Sequence, residues 1–165
     1  MYVPDFANVM ILSLYGCAFI IAAFVIVLGD WPERCALAIM LLVLATQIIG
    51  HSIFGEPVID ETDRVVLAAD VIGFLGFSVL LRRAERAWTI IAWVMTLVSL
   101  AGHYAQRSGD LLGVSYAEYH SLPTVVILML LPIGTVLHQI RLRRRGFDRA
   151  WTPVRTDSAI QAAAT

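Results

Sequence analysis

Apolar residues fill this chain in five long runs, each close to the length that crosses a lipid bilayer. The runs cover residues 9–28, 35–54, 65–81, 88–104 and 122–140. A hydrocarbon core of roughly 30 Å needs about 20 helical residues, with about 17 as a lower limit, so the third and fourth runs are short but sufficient. Backbone groups in lipid must hydrogen-bond internally, which helices allow. The pattern predicts an all-α integral membrane protein with one five-helix transmembrane domain over residues 1–145.

The polar breaks between the runs carry signals for helix starts. Asp30 is a capping residue ahead of the second run, and Glu33 stands where a capping box has its reciprocal glutamate. Asp63 precedes the third run, where the positive end of a helix dipole favours an acid. Ser121 and Pro123 predict the start of the fifth helix, because both residue types favour a first turn.

Composition and charge extend this picture to a membrane orientation. Hydrophobic residues make up 59% of the chain and charged residues 15%, well outside the range of ordinary soluble domains. All twelve basic residues are arginines; three lie between residues 82 and 86 and six between residues 141 and 155. The positive-inside rule places both segments in the cytoplasm and, with five spans, the N-terminus outside. The exclusive use of arginine indicates a high-GC bacterial genome and hence a bacterial inner membrane.

The end of the chain divides into a basic cluster and a tail. Arg141, Arg143, Arg144 and Arg145 follow the fifth run directly and are expected to contact the anionic cytoplasmic leaflet of the bilayer. Because the cluster is short, adjoins the membrane and lacks interleaved aromatic residues, we expect no nucleic-acid partner. Residues 146–165, which are rich in Ala, Thr and Ser, are predicted to form a flexible cytoplasmic tail.

The outer ends of the predicted helices hold most of the unusual polar chemistry. His51 and His103 lie within one turn of the exterior ends of the second and fourth spans, and His120 directly precedes the fifth. Asp70 is the only carboxylate well inside a span, roughly 8 Å below the exterior start of the third helix. A charge facing lipid is costly, so we expect Asp70 to face the bundle.

Residue spacing predicts the partners of this carboxylate. Gln47 lies four residues before His51, and Ser99 lies four residues before His103, so each pair shares one helix face. The third and fourth helices are consecutive and antiparallel, which brings Asp70 and His103 to neighbouring depths. We therefore predict that Asp70 hydrogen-bonds His103 or the Gln47 and His51 pair, in a polar cluster of Gln47, Asp70, Ser99 and His103.

Several chemistries are compatible with these residues. His51 and His103 are candidate axial ligands of haem b, and Asp70, His51, His103 and His120 are candidate ligands of a divalent metal. Against both stands a simpler interpretation, in which the histidines are interfacial residues and Asp70 is a hydrogen-bonding post between helices. The chain contains no Walker, GxSxG, HExxH or dinucleotide-binding sequence. We accordingly assign no catalytic residues and expect no cofactor.

One stretch resembles a known group of proteins. It contains Asp70, a short apolar helix, Arg82-Arg83, Trp88 and a second helix that ends in Leu100-Ala101-Gly102-His103. This arrangement resembles uncharacterised small polytopic membrane proteins of alphaproteobacteria and their phages. The resemblance covers about the C-terminal two-thirds of the chain and implies a bacterial inner-membrane setting, with no activity attached to it.

Three classes of function fit the sequence. The first is a non-catalytic inner-membrane protein that acts as an accessory or interaction subunit, or that forms a small oligomer, because the short loops leave no room for an enzyme domain. The second is a haem- or metal-binding redox protein built on His51, His103 and Asp70. The third is a phage-type lysis protein that forms membrane lesions.

Overall fold

The computed structural model of the chain is entirely helical over the residues that it describes, which are 6–55, 63–84, 86–108 and 113–146. Side chains are described from Gly16 in the first helix and, apart from Arg145, from Leu122 in the last. The five helices are α1 Phe6–Leu28, α2 Trp31–Phe54, α3 Arg64–Arg83, α4 Ala87–Arg107 and α5 Gly113–Arg145. Each of the five apolar runs therefore forms one helix.

Two aspartates begin their helices as predicted. The Asp30 side chain accepts a hydrogen bond from the Trp31 N–H at 2.8 Å, so α2 starts four residues before the apolar run. The Asp63 carboxylate accepts from the N–H groups of Val65 and Val66 at 2.9 and 3.2 Å. The predicted capping box at α2 is wrong, because Glu33 is fully buried and accepts a hydrogen bond from a side chain of α4.

The predicted start of the fifth helix is also wrong. α5 begins at Gly113, eight residues before Ser121, and continues through Pro123 and Pro132 to a total of 33 residues. A proline removes one backbone hydrogen bond, which so long a helix can tolerate, and the preceding segment contains the good helix formers Ala117 and Glu118. At 1.5 Å per residue α5 is roughly 50 Å long, more than a hydrocarbon core requires.

Consecutive helices pack against each other, and α5 returns to contact both α1 and α2. The connections between α1 and α2 and between α3 and α4 are only two or three residues long, so these neighbours run antiparallel. We call the end where α3 begins and α4 finishes the His103 end of the bundle. The opposite end, where α3 finishes and α4 begins, is the Arg86 end.

The apolar core lies toward the Arg86 end. It contains residues of all five helices, and its larger members are Val25, Leu37, Phe77, Leu80, Trp88, Ile127 and Leu131. Midway along the bundle, α3 approaches α2 through glycines. A Cβ at Gly76 would lie 2.9 Å from Ile39, and one at Gly73 would lie 3.3 Å from Val43. Close backbone approach through small residues is typical of helices that pack in membranes.

Within the described residues, four helical segments are long and apolar enough to cross a membrane: α2, α3, α4 and residues 122–144 of α5. Most of their apolar side chains point outward, and only 6% of the most apolar stretch of α2 is buried. So large an apolar surface is unfavourable in water. Trp31 and Tyr104 are 64% and 78% exposed at the two opposite ends, where membrane proteins place aromatic belts. The chain thus has the features of a multi-pass membrane protein.

Candidate functional site

A polar cluster of Asp70, Ser99 and His103 joins α3 to α4 near the His103 end. The Ser99 hydroxyl donates to Asp70 Oδ2 at 2.6 Å, and His103 Nε2 lies 2.9 Å from the same oxygen. The side chains of His103 and Asp70 are only 4% and 11% exposed. Ser99 and His103 are four residues apart on one face of α4, so a single carboxylate on the facing helix reaches both.

The Ser99 hydroxyl and the His103 ring nitrogen converge on one oxygen of Asp70. A polar group in apolar surroundings is tolerated when hydrogen-bond partners surround it. The cluster therefore links α3 to α4 and gives the Asp70 carboxyl partners inside the bundle.

His51 belongs to a separate pair at the same end of the bundle. Its Nε2 lies 2.7 Å from Asp63 Oδ2, so it connects the last turn of α2 to the cap of α3. Burial raises the pKa of the Asp63 carboxyl, but hydrogen bonds from His51 and from two backbone N–H groups outweigh burial and lower that pKa overall. Asp63 thus serves both as a helix cap and as the partner of His51.

The remaining predicted site residues do not join these pairs. Gln47 is partly buried on α2, and none of the described hydrogen bonds connects it to Asp70. The side chain of His120 lies outside the described residues. Among the side chains that the structure describes, no group of three His, Cys, Asp or Glu residues could hold a metal ion. The predicted set of Asp70, His51 and His103 is not formed as a metal site, because His51 lies against Asp63.

The contacts of His51 and His103 also argue against the predicted axial ligation of haem. His51 Nε2 and His103 Nε2 are each within 3 Å of a carboxylate oxygen, on two different carboxylates. Gly50, which precedes His51, abuts the side chain of Val65, so the backbone of α2 approaches α3 closely there. The described residues fit a helix-to-helix contact better than an axial haem site.

A second polar cluster, which we did not predict, lies at the Arg86 end. The Arg86 guanidinium is 1% exposed and donates to Asp30 Oδ2 at 3.2 Å. Its Nε lies 3.9 Å from Oε1 of the fully buried Glu33, and its Nη2 lies 3.5 Å from Nδ1 of His138. The Trp88 indole N–H donates to the same Glu33 oxygen at 3.2 Å. This Arg86 cluster therefore ties α2, α4 and α5 together.

Glu33 is the member of the Arg86 cluster whose charge is most costly to bury. Its Oε1 is engaged, but its Oε2 is buried with no hydrogen-bond partner among the described residues. A buried carboxylate is tolerated only beside a compensating charge or donor. Arg86 and Trp88 are the groups that provide this compensation. Glu33 thus depends on α4 being in place, although it is part of the first turn of α2.

The sequence contained a weak signal for this second cluster. His138 was the one histidine away from the exterior ends, and it lies on the same side of the bilayer as Asp30 and Arg86 in the predicted topology. However, Asp30 and Glu33 have a local explanation as caps, and Arg86 has one as a topology signal. Because each of these residues already has a local role, the sequence offers no reason to expect that Arg86 contacts Asp30, 56 positions away.

The predicted basic cluster lies beyond these contacts, at the end of α5. Arg143 and Arg144 are exposed there, and Arg141 is partly buried. They lie at the Arg86 end, where α5 passes the last turn of α1 and the Gln139 amide donates to the Leu28 carbonyl at 2.6 Å. The side chain of Arg145 lies outside the described residues.

Comparisons of this chain with protein-family models, with curated proteins and with solved structures found no match. The resemblance to small polytopic membrane proteins of alphaproteobacteria and phages therefore stays a prediction. Function has to be argued from the two polar clusters and from the surfaces around them.

Proposed function

We propose that this protein is a non-catalytic multi-pass protein of a bacterial inner membrane, acting as an accessory or interaction subunit or as a small oligomer. The observation that carries the proposal is that the polar chemistry inside the bundle joins one helix to another. Asp70 of α3 is bonded to Ser99 and His103 of α4. Glu33 of α2 is bonded to Trp88 of α4. These bonds stabilise the contacts between helices, which supports a structural role for the groups that make them.

A bond in the middle of the bundle supports the same conclusion. The Trp93 indole N–H of α4 donates to the Ser78 hydroxyl of α3 at 2.9 Å. α3 and α4 are therefore joined by side-chain hydrogen bonds at two separate depths. A rigid helical scaffold whose outer faces are apolar is suited to contacts with lipid and with other transmembrane helices.

The proposed orientation places the N-terminus outside and the C-terminus in the cytoplasm. Arginines concentrate at the Arg86 end, where the α3–α4 connection and the end of α5 lie, and the positive-inside rule favours the cytoplasm for this end. Reporter fusions test the proposal. Alkaline phosphatase should be active when fused after Gly109 and inactive when fused after Thr165. The reverse pattern would contradict the proposed orientation.

Purification from the native host in a mild detergent tests the proposed role. We expect either a second membrane protein in fixed stoichiometry or a discrete oligomer of this chain, measured by native mass spectrometry. Tyr104→Ala is compared with the wild type, because it removes an exposed side chain and leaves the interior pairs intact. This variant should preserve the fold. A change in the complex would show that the surface around the end of α4 contributes to it.

The other function classes correspond to distinct outcomes of the same work. A Soret absorbance band, or stoichiometric metal by elemental analysis, would favour the haem- or metal-binding alternative over an interaction subunit. Abrupt arrest of growth with loss of membrane potential upon induced expression would favour the lysis alternative. A monodisperse monomer with no partner, no cofactor and no effect on growth would contradict all three.

A further inference from the structure

A groove between α1 and α5 opens at the surface of the bundle near the Arg86 end. It has a volume of about 270 Å³ and is lined by Phe24, Leu28, Val136, Gln139, Ile140 and Arg143. Four of these six side chains are apolar. The volume lies near the lower end of the range for ligand pockets, so the groove fits part of a long molecule better than a whole one.

The walls of the groove are held together at its polar end. Gln139 donates to the carbonyl of Leu28, the last residue of α1, and so satisfies a carbonyl that the helix itself leaves without a partner. This bond fixes the spacing between α1 and α5. Gln139 and Arg143 are four residues apart and therefore share one face of α5, with Arg143 about 6 Å further along the axis.

Positive side chains are exposed at this end of the described chain. Arg143 and its neighbour Arg144 are exposed, while the Asp30 carboxylate is bonded to Arg86. Arg143 also lies at the end of the apolar stretch 122–144 of α5, where the headgroup layer begins if that stretch crosses the bilayer. Trp31, 64% exposed at the same end, is the type of residue that membrane proteins place at headgroup depth.

We propose that the α1–α5 groove binds one acyl chain of an anionic phospholipid whose phosphate is held by Arg143. Guanidinium groups bind phosphate through paired, charge-assisted hydrogen bonds, and the apolar walls below Arg143 match a hydrocarbon chain. An amphiphile with a phosphate next to a long apolar tail complements both parts of the site. The proposal rests on the membrane setting proposed above and adds a specific lipid site to it.

Lipid titration of the purified full-length protein tests the site. The protein is first reconstituted in vesicles to establish that it inserts, then delipidated in detergent. It is then titrated with dioleoyl phosphatidylglycerol or dioleoyl phosphatidylcholine while native mass spectrometry counts the bound lipids. We expect a preference for the anionic lipid of about fivefold from a single arginine at the surface. Arg143→Gln should abolish most of that preference, and Arg143→Lys should retain part of it.

Two controls make the result specific. Arg144→Gln removes the same charge from the neighbouring exposed position outside the groove and should change the preference less than twofold. Val136→Trp fills the groove and should reduce retention of both lipids, while thermal unfolding monitored by circular dichroism verifies that each variant is folded.

Three outcomes would overturn the proposal. The first is an equal loss of lipid preference in Arg143→Gln and Arg144→Gln. The second is equal retention of the two lipids by the wild type. The third is effective competition for the site by glycerol phosphate, which has no acyl chain. A protein that fails to insert into vesicles at all would contradict the proposed membrane function instead, so the two failures are distinguishable.

Discussion

The two ends of the bundle bind carboxylates in different ways. At the His103 end, Asp63 and Asp70 each face a histidine, His51 and His103 respectively. At the Arg86 end, two carboxylates share an arginine, with His138 at the edge of the cluster. Arginine keeps its charge at any pH that a protein tolerates, whereas a carboxylate such as Asp63 loses its charge in acid. The Arg86 cluster is therefore held by a permanent charge, and at the other end the pair of Asp63 and His51 is the one expected to weaken on acidification.

The distribution of apolar packing reinforces this contrast. The apolar core lies toward the Arg86 end, and there the side chains of Arg86 and Glu33 are 1% and 0% exposed. At the His103 end, Gly50 lets α2 approach Val65 of α3, and the carboxylates of Asp63 and Asp70 are 12% and 11% exposed. Removing a charge should consequently cost more at the Arg86 end.

The largest effect is expected from Arg86→Met. It leaves Glu33 buried with no compensating charge, and breaking such a pair from one side costs about 3–5 kcal/mol. Adding Glu33→Gln to the same variant should recover much of the loss. Unfolding by sodium dodecyl sulfate, monitored by circular dichroism in mixed micelles, measures both. Arg82→Met is the matched control, since it removes the same charge from an exposed residue nearby; an equal loss there would mean that burial of the Arg86 cluster is not what matters.

An intermediate effect is expected from Asp70→Leu. It removes the acceptor shared by Ser99 and His103, and leaving such buried donors unsatisfied costs about 1–3 kcal/mol. Asp70→Asn keeps an acceptor oxygen and should cost only about 0.6 kcal/mol, the average for hydrogen bonds inside membranes. The same unfolding assay reports both values. Gln47→Leu is the control on the neighbouring helix, and a cost equal to that of Asp70→Leu would contradict the specific role of Asp70.

The smallest effect concerns Asp63 and the dependence of stability on pH. Because the pKa of Asp63 is lowered in the folded chain, its ionised form stabilises the fold fully above its ordinary pKa of about 3.9. That contribution should disappear as the pH falls further, through the lowered pKa. Asp63→Asn retains a good helix cap but cannot ionise, so its stability should fall less than that of the wild type between pH 5 and pH 3.

Asp63→Ala completes this series, since it also removes the cap and should cost about 1 kcal/mol at neutral pH. If Asp63→Asn and the wild type lost stability in parallel on acidification, the acid sensitivity would have to come from another group. Such a result would weaken the distinction between a permanent end and a pH-responsive end of the bundle.

The contrast between the ends also separates what the sequence predicted from what it did not. The pairing of Asp70 with His103 was predicted correctly for two reasons. The two residues lie at similar depths on consecutive antiparallel helices, and a lone carboxylate in an apolar span must face inward. His51 belonged to the alternative pair offered for Asp70 and lies against Asp63 instead, a contact that was not predicted because Asp63 already had a local role at the start of α3. The Arg86 cluster joins helices that are distant in sequence, and no periodicity predicts which side chain of α2 turns toward α4.

The predicted helix ends also show that the sequence is informative where local residues decide the structure and less so elsewhere. The capping role of Asp30 at α2 is a local feature and is confirmed. For α3 the prediction was that Asp60, Glu61 and Asp63 lie near the positive end of the helix dipole, and Asp63 caps the helix. The start of α5 was predicted from Ser121 and Pro123, two residues that favour a first turn but do not forbid an earlier one. Whether a helix continues through a proline depends on the residues on both sides of it, and here it continues from Gly113.

The hydrogen bond between Gln139 and Leu28 has a consequence for how the protein is made. It joins residues 111 positions apart, and α1 packs chiefly against α5. α1 leaves the ribosome before α5 does, so this contact cannot form until α2, α3 and α4 have also been synthesised. α2, α3 and α4 can associate in the order of their synthesis, whereas most of the packing of α1 depends on a helix that is made after all three of them. Docking of α1 onto α5 is therefore a late step in the assembly of these five helices.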